Sequence, residues 1–145
     1  MNNFSEGKPL TRILAIDYGR KRIGLALSDP MRIFAYPLIT IQNSHSFFNE
    51  LTKIFEAKEI GEVVLGLPIT EGGEKSILHD EIMRLKEKIE KVFSVEVNLW
   101  DESFSSSIAS EIIIQTVKKK SKRRDKSLID KNAAAVILTE YMNSK

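Results

Sequence analysis

The sequence predicts an α/β domain: a mixed five-stranded sheet with helices on both faces. Three observations point to it. Two short apolar runs, RILAID (Arg12–Asp17) and RIGLALSD (Arg22–Asp29), are separated by four residues that include a glycine, the spacing of a hairpin. From about Ser46 the apolar residues shift from a two-residue period to steps of three and four, which marks a change to helix. Further along, VVL within Glu62–Leu67 shows no alternation, as expected for a strand covered on both faces.

Residues 1–10 read as a loose leader. In the second strand of the hairpin, Ile23, Leu25 and Leu27 share one face and Gly24, Ala26 and Ser28 the other. The small set leaves room for something to pack closely above the sheet. Beyond Asp29-Pro30, Tyr36–Gln42 completes a three-stranded meander. Phe47, Phe48, Leu51, Ile54 and Phe55 form the stripe of an amphipathic helix, which Gly61 is expected to close. Glu62–Leu67 is the fourth strand, and PITEGG leads to a long helix whose core stripe is Leu78, Ile82, Leu85, Ile89 and Val92. Val95, Val97 and Leu99 alternate with Glu96 and Asn98 in a fifth strand ending at Trp100-Asp101-Glu102. A helix through Ile108–Ile114, a basic loop at 118–126 and a final helix from about Ser127 to Met142 follow. Residues 1–145 thus read as a single domain of order βββαβαβαα, which belongs to the ribonuclease H-like architecture. Right-handed crossovers place the two later strands beside the first, bringing the carboxyl ends of strands one and four together at the sheet centre.

Composition narrows the chemistry. With 42% hydrophobic and 29% charged residues in 145, the chain has the makings of one real core and is no disordered polyelectrolyte. No run approaches the ~20 apolar residues of a membrane span, and MNNFSEGKPL lacks the layout of a secretory signal, so a cytoplasmic protein is expected. The absence of cysteine removes disulfides, zinc–thiolate sites and a cysteine nucleophile, and His45 and His79 are the only histidines. Any metal would be held by oxygen, which favours Mg2+ or Mn2+ over zinc. Residues 118–126 (KKKSKRRDK) carry seven basic side chains and one acidic, a local +6 within a net +2, leaving −4 for the rest. That asymmetry suits a polyanionic partner, although a solvated loop has the same composition.

Three carboxylates stand at element ends: Asp17 closing the first strand, Glu102 ending the fifth, and Asp130 near the start of the last helix. Hard carboxylate oxygens from separate elements, meeting at one sheet edge, are what a magnesium ion working on a phosphodiester requires. Each also has a plainer reading. Asp17 suits the YGRK turn, Glu102 competes with Asp101, and Asp130 complements the dipole of a helix whose SLID start resembles a capping box. Ala133, Ala134 and Ala135 would let that helix approach the sheet closely. Arg20, Lys21 and Arg22 put positive charge beside Asp17, suited to clamping phosphates. Gly72 and Gly73 could offer backbone amides to a phosphate, yet no Walker motif occurs, and Ser105–Ser107 with the histidines form no hydrolase triad.

The residues also resemble a known family. RILAIDYGRKRIGLALSD (Arg12–Asp29) is similar to the opening segment of the YqgF family, also called RuvX. VVLGLPITEGG (Val63–Gly73) looks like its strand–loop motif, LWDESFSSSIA (Leu99–Ala109) stands where the family carries a DER-type motif, and IDKNAAAVILTEY (Ile129–Tyr141) resembles its closing helix. The resemblance implies a ribonuclease H-like nuclease with Asp17, Glu102 and Asp130 as the acidic metal set and Lys21 and Arg22 by the substrate. It further implies either maturation of the small-subunit ribosomal RNA precursor or Holliday junction resolution. One departure is Ser103, where the family usually has arginine; serine cannot supply its bidentate donor. Arg123, Arg124 or Lys126 could stand in for it from the basic loop.

The sequence is therefore read as a Mg2+- or Mn2+-dependent nuclease, RNA favoured over DNA, acting as a monomer or weak homodimer. Phosphates would be held by Arg20, Lys21, Arg22, Lys118, Lys119, Lys120, Lys122, Arg123 and Arg124. A junction-cutting DNA endonuclease and a non-catalytic RNA-binding assembly factor are the alternatives.

Overall fold

The computed structural model describes residues 10–67, 77–101 and 126–144. The strands are β1 (Arg12–Tyr18), β2 (Arg22–Ser28), β3 (Ala35–Gln42), β4 (Ile60–Leu67) and β5 (Glu96–Asp101). The helices are α1 (Phe47–Ala57), α2 (Ile77–Phe93) and α3 (Lys126–Asn143). The sheet runs β3-β2-β1-β4-β5, with the first three strands antiparallel and β4 and β5 parallel to β1. This is the meander followed by crossovers that the element order predicts. The expected helix through Ile108–Ile114 lies outside the described residues.

Strand alternation sorts the core into two layers. Leu14, Ile16, Ile23, Leu25, Val63, Leu65 and Val97 face α1 and α2, packing on Phe47, Leu51, Ile82 and Ile89. Ile13, Ala15, Ala26 and Val64 face α3, against Ala134, Ile137, Leu138 and Tyr141. Val63, Val64 and Leu65 are fully buried, so the non-alternating run is indeed covered on both faces. The small face of β2 admits α3 as anticipated: Ala26 and Ala134 belong to the same cluster, both at 0% exposure.

Three expectations are corrected. Gly61 does not close α1; the helix ends at Ala57, and Lys58 turns into extended backbone with its amide bonded to Ile54 O. Gly61 belongs to β4, where the register with β1 slips between Arg12 and Ile13. A Cβ there would meet Thr11 Oγ1 at 2.3 Å, so glycine serves close strand approach instead. Val92 is not core but 55% exposed. Phe93 turns inward instead and stacks on Phe55 at 3.9 Å and on Phe48 at 5.4 Å, a larger apolar contact than valine offers. Ser127 is the second residue of α3 rather than its cap.

β3 forms one edge of the sheet. Its register with β2 shifts by one residue between Leu25 and Ala26, opposite Ile39 and Pro37. Proline, which has no amide hydrogen to donate, is tolerated at such an edge.

Candidate functional site

Asp17 is half-buried near the carboxyl end of β1. Ile13 and Ala15 before it belong to the α3-side cluster, whereas Leu14, Ile16 and Tyr18 pack toward α1 and α2. Strand alternation therefore gives Asp17 the α3 face. Its ladder partner on β2 is Gly24. On the other side Ile16 pairs with Leu65, so the following residue, Gly66, comes alongside Asp17. The carboxylate thus rises from the sheet between two positions that carry no side chain. Gly24 was legible as part of the small face of β2. Gly66 was missed, although its parity with Val64 in the β4 run was the available signal.

The turn after Asp17 is tied down. A Cβ on Gly19 would fall 2.4 Å from the carbonyl oxygen of Arg22, so the tight closure requires glycine. Asn43 donates its side-chain amide to Gly19 O at 2.7 Å and its backbone amide to Lys21 O at 2.8 Å. Sequence reasoning passed over Asn43, whose partners lie far away in the chain. Arg20 and Lys21 are exposed on this braced turn, and Arg22 begins β2 half-buried opposite Gln42.

On the opposite face of the same strand end, the Tyr18 hydroxyl donates to Glu81 Oε1 at 2.9 Å. Burial pushes the phenol above its ordinary pKa; a hydrogen bond with Asn43 opposes this and the Glu81 carboxylate reinforces it.

The other predicted residues divide as follows. Glu102, Gly72, Gly73, Lys118, Lys119, Lys120, Lys122, Arg123 and Arg124 lie outside the described residues. Asp130 belongs to the first half of α3, its backbone described and its side chain not. Among the described residues no three acidic or histidine side chains gather as a metal site. One buried carboxylate the sequence did not single out is Glu62, 7% exposed. It accepts from Arg32 NH1 at 2.8 Å, from Asn98 Nδ2 at 3.1 Å and from the Tyr141 hydroxyl. It pairs with Ile13 at the amino end of β1, the opposite end of the sheet from Asp17.

The sheet order β3-β2-β1-β4-β5, with helices on both faces, is that of the ribonuclease H-like fold. Solved structures agree on the fold. The complex of T. thermophilus RuvC with a Holliday junction substrate superposes with a TM-score of 0.58 at 14% identity, over 92% of this chain and 94% of that one. The fowlpox virus resolvase bound to Holliday junction DNA gives 0.60 at 13%, over 92% and 98%. Residues 11–144 match the family model of RuvX, described as "Holliday junction resolvase". A "Putative pre-16S rRNA nuclease" of Caldicellulosiruptor bescii is 38% identical over 135 residues, covering 91% of this chain and 96% of the relative. A protein of the same name from Porphyromonas gingivalis is 37% identical over 134 residues, covering 92% and 96%. The chain belongs to the RuvX family. No helix among the described residues is long and apolar enough to cross a membrane.

Proposed function

We propose that this RuvX-family nuclease is metal-dependent and hydrolyses RNA phosphodiesters, processing the small-subunit ribosomal RNA precursor in the cytoplasm, with Asp17, Glu102 and Asp130 as its ligand set. The observation that carries the reading is the placement of Asp17 at the sheet centre, between Gly24 and Gly66. Glycine on both flanking strands puts no Cβ directly beside the carboxylate, which favours the close approach of a hydrated cation and a phosphate. The three proposed donors are all carboxylates, the hard oxygen chemistry that suits Mg2+ or Mn2+.

The length of α3 supports Asp130 as a member. Tyr141 is bonded to Glu62, level with Ile13 at the amino end of β1. Eleven residues back along the helix, at 1.5 Å each, is about 16 Å. From Ile13 to Asp17 along the strand is about 13 Å. The two lengths are comparable, so the Asp130 end of the helix comes level with Asp17. Asp130 is also one turn before Ala134, which is buried against the sheet. Glu102, rather than Asp101, is taken as the third member because the family resemblance implies it.

A divalent cation here would lower the pKa of an attacking water and offset charge on the phosphoryl oxygens. The chain's own basic residues do the positioning: Arg20, Lys21 and Arg22 on the braced turn, joined by Lys118–Arg124, hold the backbone of the strand. Gly72 and Gly73 could add amide donors. The RNA substrate is favoured by the names of the relatives; the family model's description favours four-way DNA junctions as the second reading.

The test compares wild type with Asp17→Asn on single-stranded RNA, a precursor-like ribosomal RNA fragment and a four-way DNA junction, with Mg2+ or Mn2+. Precursor RNA cut by wild type and spared by the variant supports the proposal. Symmetric cutting of the junction alone would transfer it to resolution. RNA binding without cleavage of any substrate would leave a non-catalytic assembly factor.

A further inference from the structure

Tyr18 follows Asp17 directly and faces the other way, into a cleft of about 300 Å³ between the β3–α1 loop and α2. Asn43, His45, Phe48, Glu81, Arg84 and Lys88 help to line it. Arg84 and Lys88 stand one turn apart on α2, both exposed, and a second hollow of about 360 Å³ shares them and adds Glu87 and Lys91. The three cations fall at i, i+4 and i+7, on one face of the helix.

What distinguishes this stripe from an ordinary solvated helix face is that its cations make no ion pair among the described residues. Lys86 is paired with Glu90 at 3.0 Å, and Lys53 on α1 with Glu50 at 3.5 Å. Among the described residues Arg84 and Lys91 make no ion pair, and Lys88 rests its ammonium 4.2 Å over the Phe48 ring. Glu81 is engaged by Tyr18, and Glu87 is the one carboxylate that intervenes between the cations. The stripe also starts beside the catalytic edge. Asn43 lines the cleft and fastens the Arg20–Lys21 turn, so the two basic sets meet at one residue.

We propose that α2 carries a second phosphate-binding track, on the sheet face opposite Asp17. The nucleic-acid strand leaving the metal edge crosses the 20–22 turn, seats a phosphate against Arg84 and Lys88 in the cleft, and continues past Lys91. The distance from Arg84 to Lys91 is about 10 Å at 1.5 Å per residue. At a rise of roughly 3.4 Å per nucleotide in a duplex strand, that spans about three nucleotides. This rests on the nuclease reading above for its direction of travel, but its binding claim stands on the α2 residues alone.

The test is binding of a labelled single-stranded RNA to the full chain, without divalent metal, across a salt series. Wild type is compared with the triple variant Arg84→Gln, Lys88→Gln, Lys91→Gln, and with Lys53→Gln as a charge control elsewhere. Three lost contacts at about 0.7 each reduce the slope of log K against log salt by about 2, with an affinity loss of roughly ten- to hundred-fold at 0.1 M salt. The double variant Arg84→Gln, Lys91→Gln leaves the Lys88–Phe48 contact intact and is expected to flatten the slope by about 1.4. Lys53→Gln should bind like wild type. An unchanged slope in both variants overturns the track, whatever the cleavage assay gives. A flattened slope sustains it even if no substrate is cut, so the two proposals fail separately.

Discussion

Replacing Arg32 by alanine tests whether the polar knot around Glu62 is structural. Arg32 donates to Glu62 Oε1 at 2.8 Å, to Thr11 O at 3.0 Å and to Thr11 Oγ1 at 2.9 Å. Truncation takes the guanidinium from Glu62, whose side chain is 9% exposed, and leaves the neutral donors Asn98 and Tyr141 among its partners. Breaking a fully buried pair costs about 3–5 kcal/mol, and a charge-assisted hydrogen bond about 1.5–3. Because the Arg32 side chain is 35% exposed, water can replace part of what is lost. The expected cost is therefore about 2 kcal/mol, a fall in Tm of roughly 4–8 °C for a domain of this size. Urea and thermal unfolding followed by circular dichroism measure it. In a double-mutant cycle with Glu62→Gln, the coupling should be about 1–2 kcal/mol. Cleavage per folded molecule should stay at the wild-type level, since Glu62 lies at the far end of the sheet from Asp17. A loss under 0.5 kcal/mol, or strict additivity, refutes the reasoning; a selective loss of activity would place Glu62 in the chemistry instead.

Asp29 accepts from the amides of Phe34 at 2.6 Å, Ile33 at 2.7 Å and Met31 at 3.1 Å, and these bonds, Phe34's foremost, hold its pKa below the ordinary carboxylate value. With the folded pKa depressed, its stabilisation is present above the unfolded value of about 4 and is lost as pH falls through the folded one. Asp29→Asn should therefore lose less stability than wild type on acidification below about pH 4, and parallel acid-unfolding curves would contradict this. Ala134→Leu puts extra methyl groups where α3 meets the small face of β2 and should cost about 1–3 kcal/mol. If α3 positions Asp130, the same change weakens Mn2+ binding by calorimetry more than Ile82→Val does on the opposite face; equal metal affinity in the two variants would count against that role.

The parts of the fold legible in sequence were those fixed by local pattern. A two-residue period decides which side of β2 is apolar, and the unbroken VVL within a short run is what a strand covered on both sides requires. Where two nearby residues compete for the same inward direction, pattern alone fails. From Ile89, Val92 and Phe93 are both within one turn, and Phe93 prevails because Phe55 and Phe48 wait on another helix. Gly61 looked like a helix stop because glycine is common there, but its reason is a contact with Thr11 on the neighbouring strand. The Glu62 knot was invisible for the same cause: its partners are 30, 36 and 79 residues away. Asp17 was legible because a strand end is a local feature. The two glycines that flank it become neighbours only once β2 and β4 are both paired to β1.

That pairing explains how one residue type serves opposite purposes at the two ends of the sheet. Glu62 is nearly buried and accepts from a guanidinium, an amide and a phenol, an arrangement that pins α3 to the sheet. Asp17 stands between two glycines, half-buried, beside a turn whose exposed cations are braced by Asn43. α3 spans the interval between them. Its Tyr141 end is fastened at the Glu62 knot, Ala134 lies in one cluster with Ala15 and Ala26, and the proposed ligand Asp130 belongs to the other half of the helix. The knot thus sets the axial position of the helix, and the small residues set its height above the sheet. If Asp130 is the ligand proposed above, a helix constrained in this way would fix its backbone relative to Asp17 without any direct contact between the two ends.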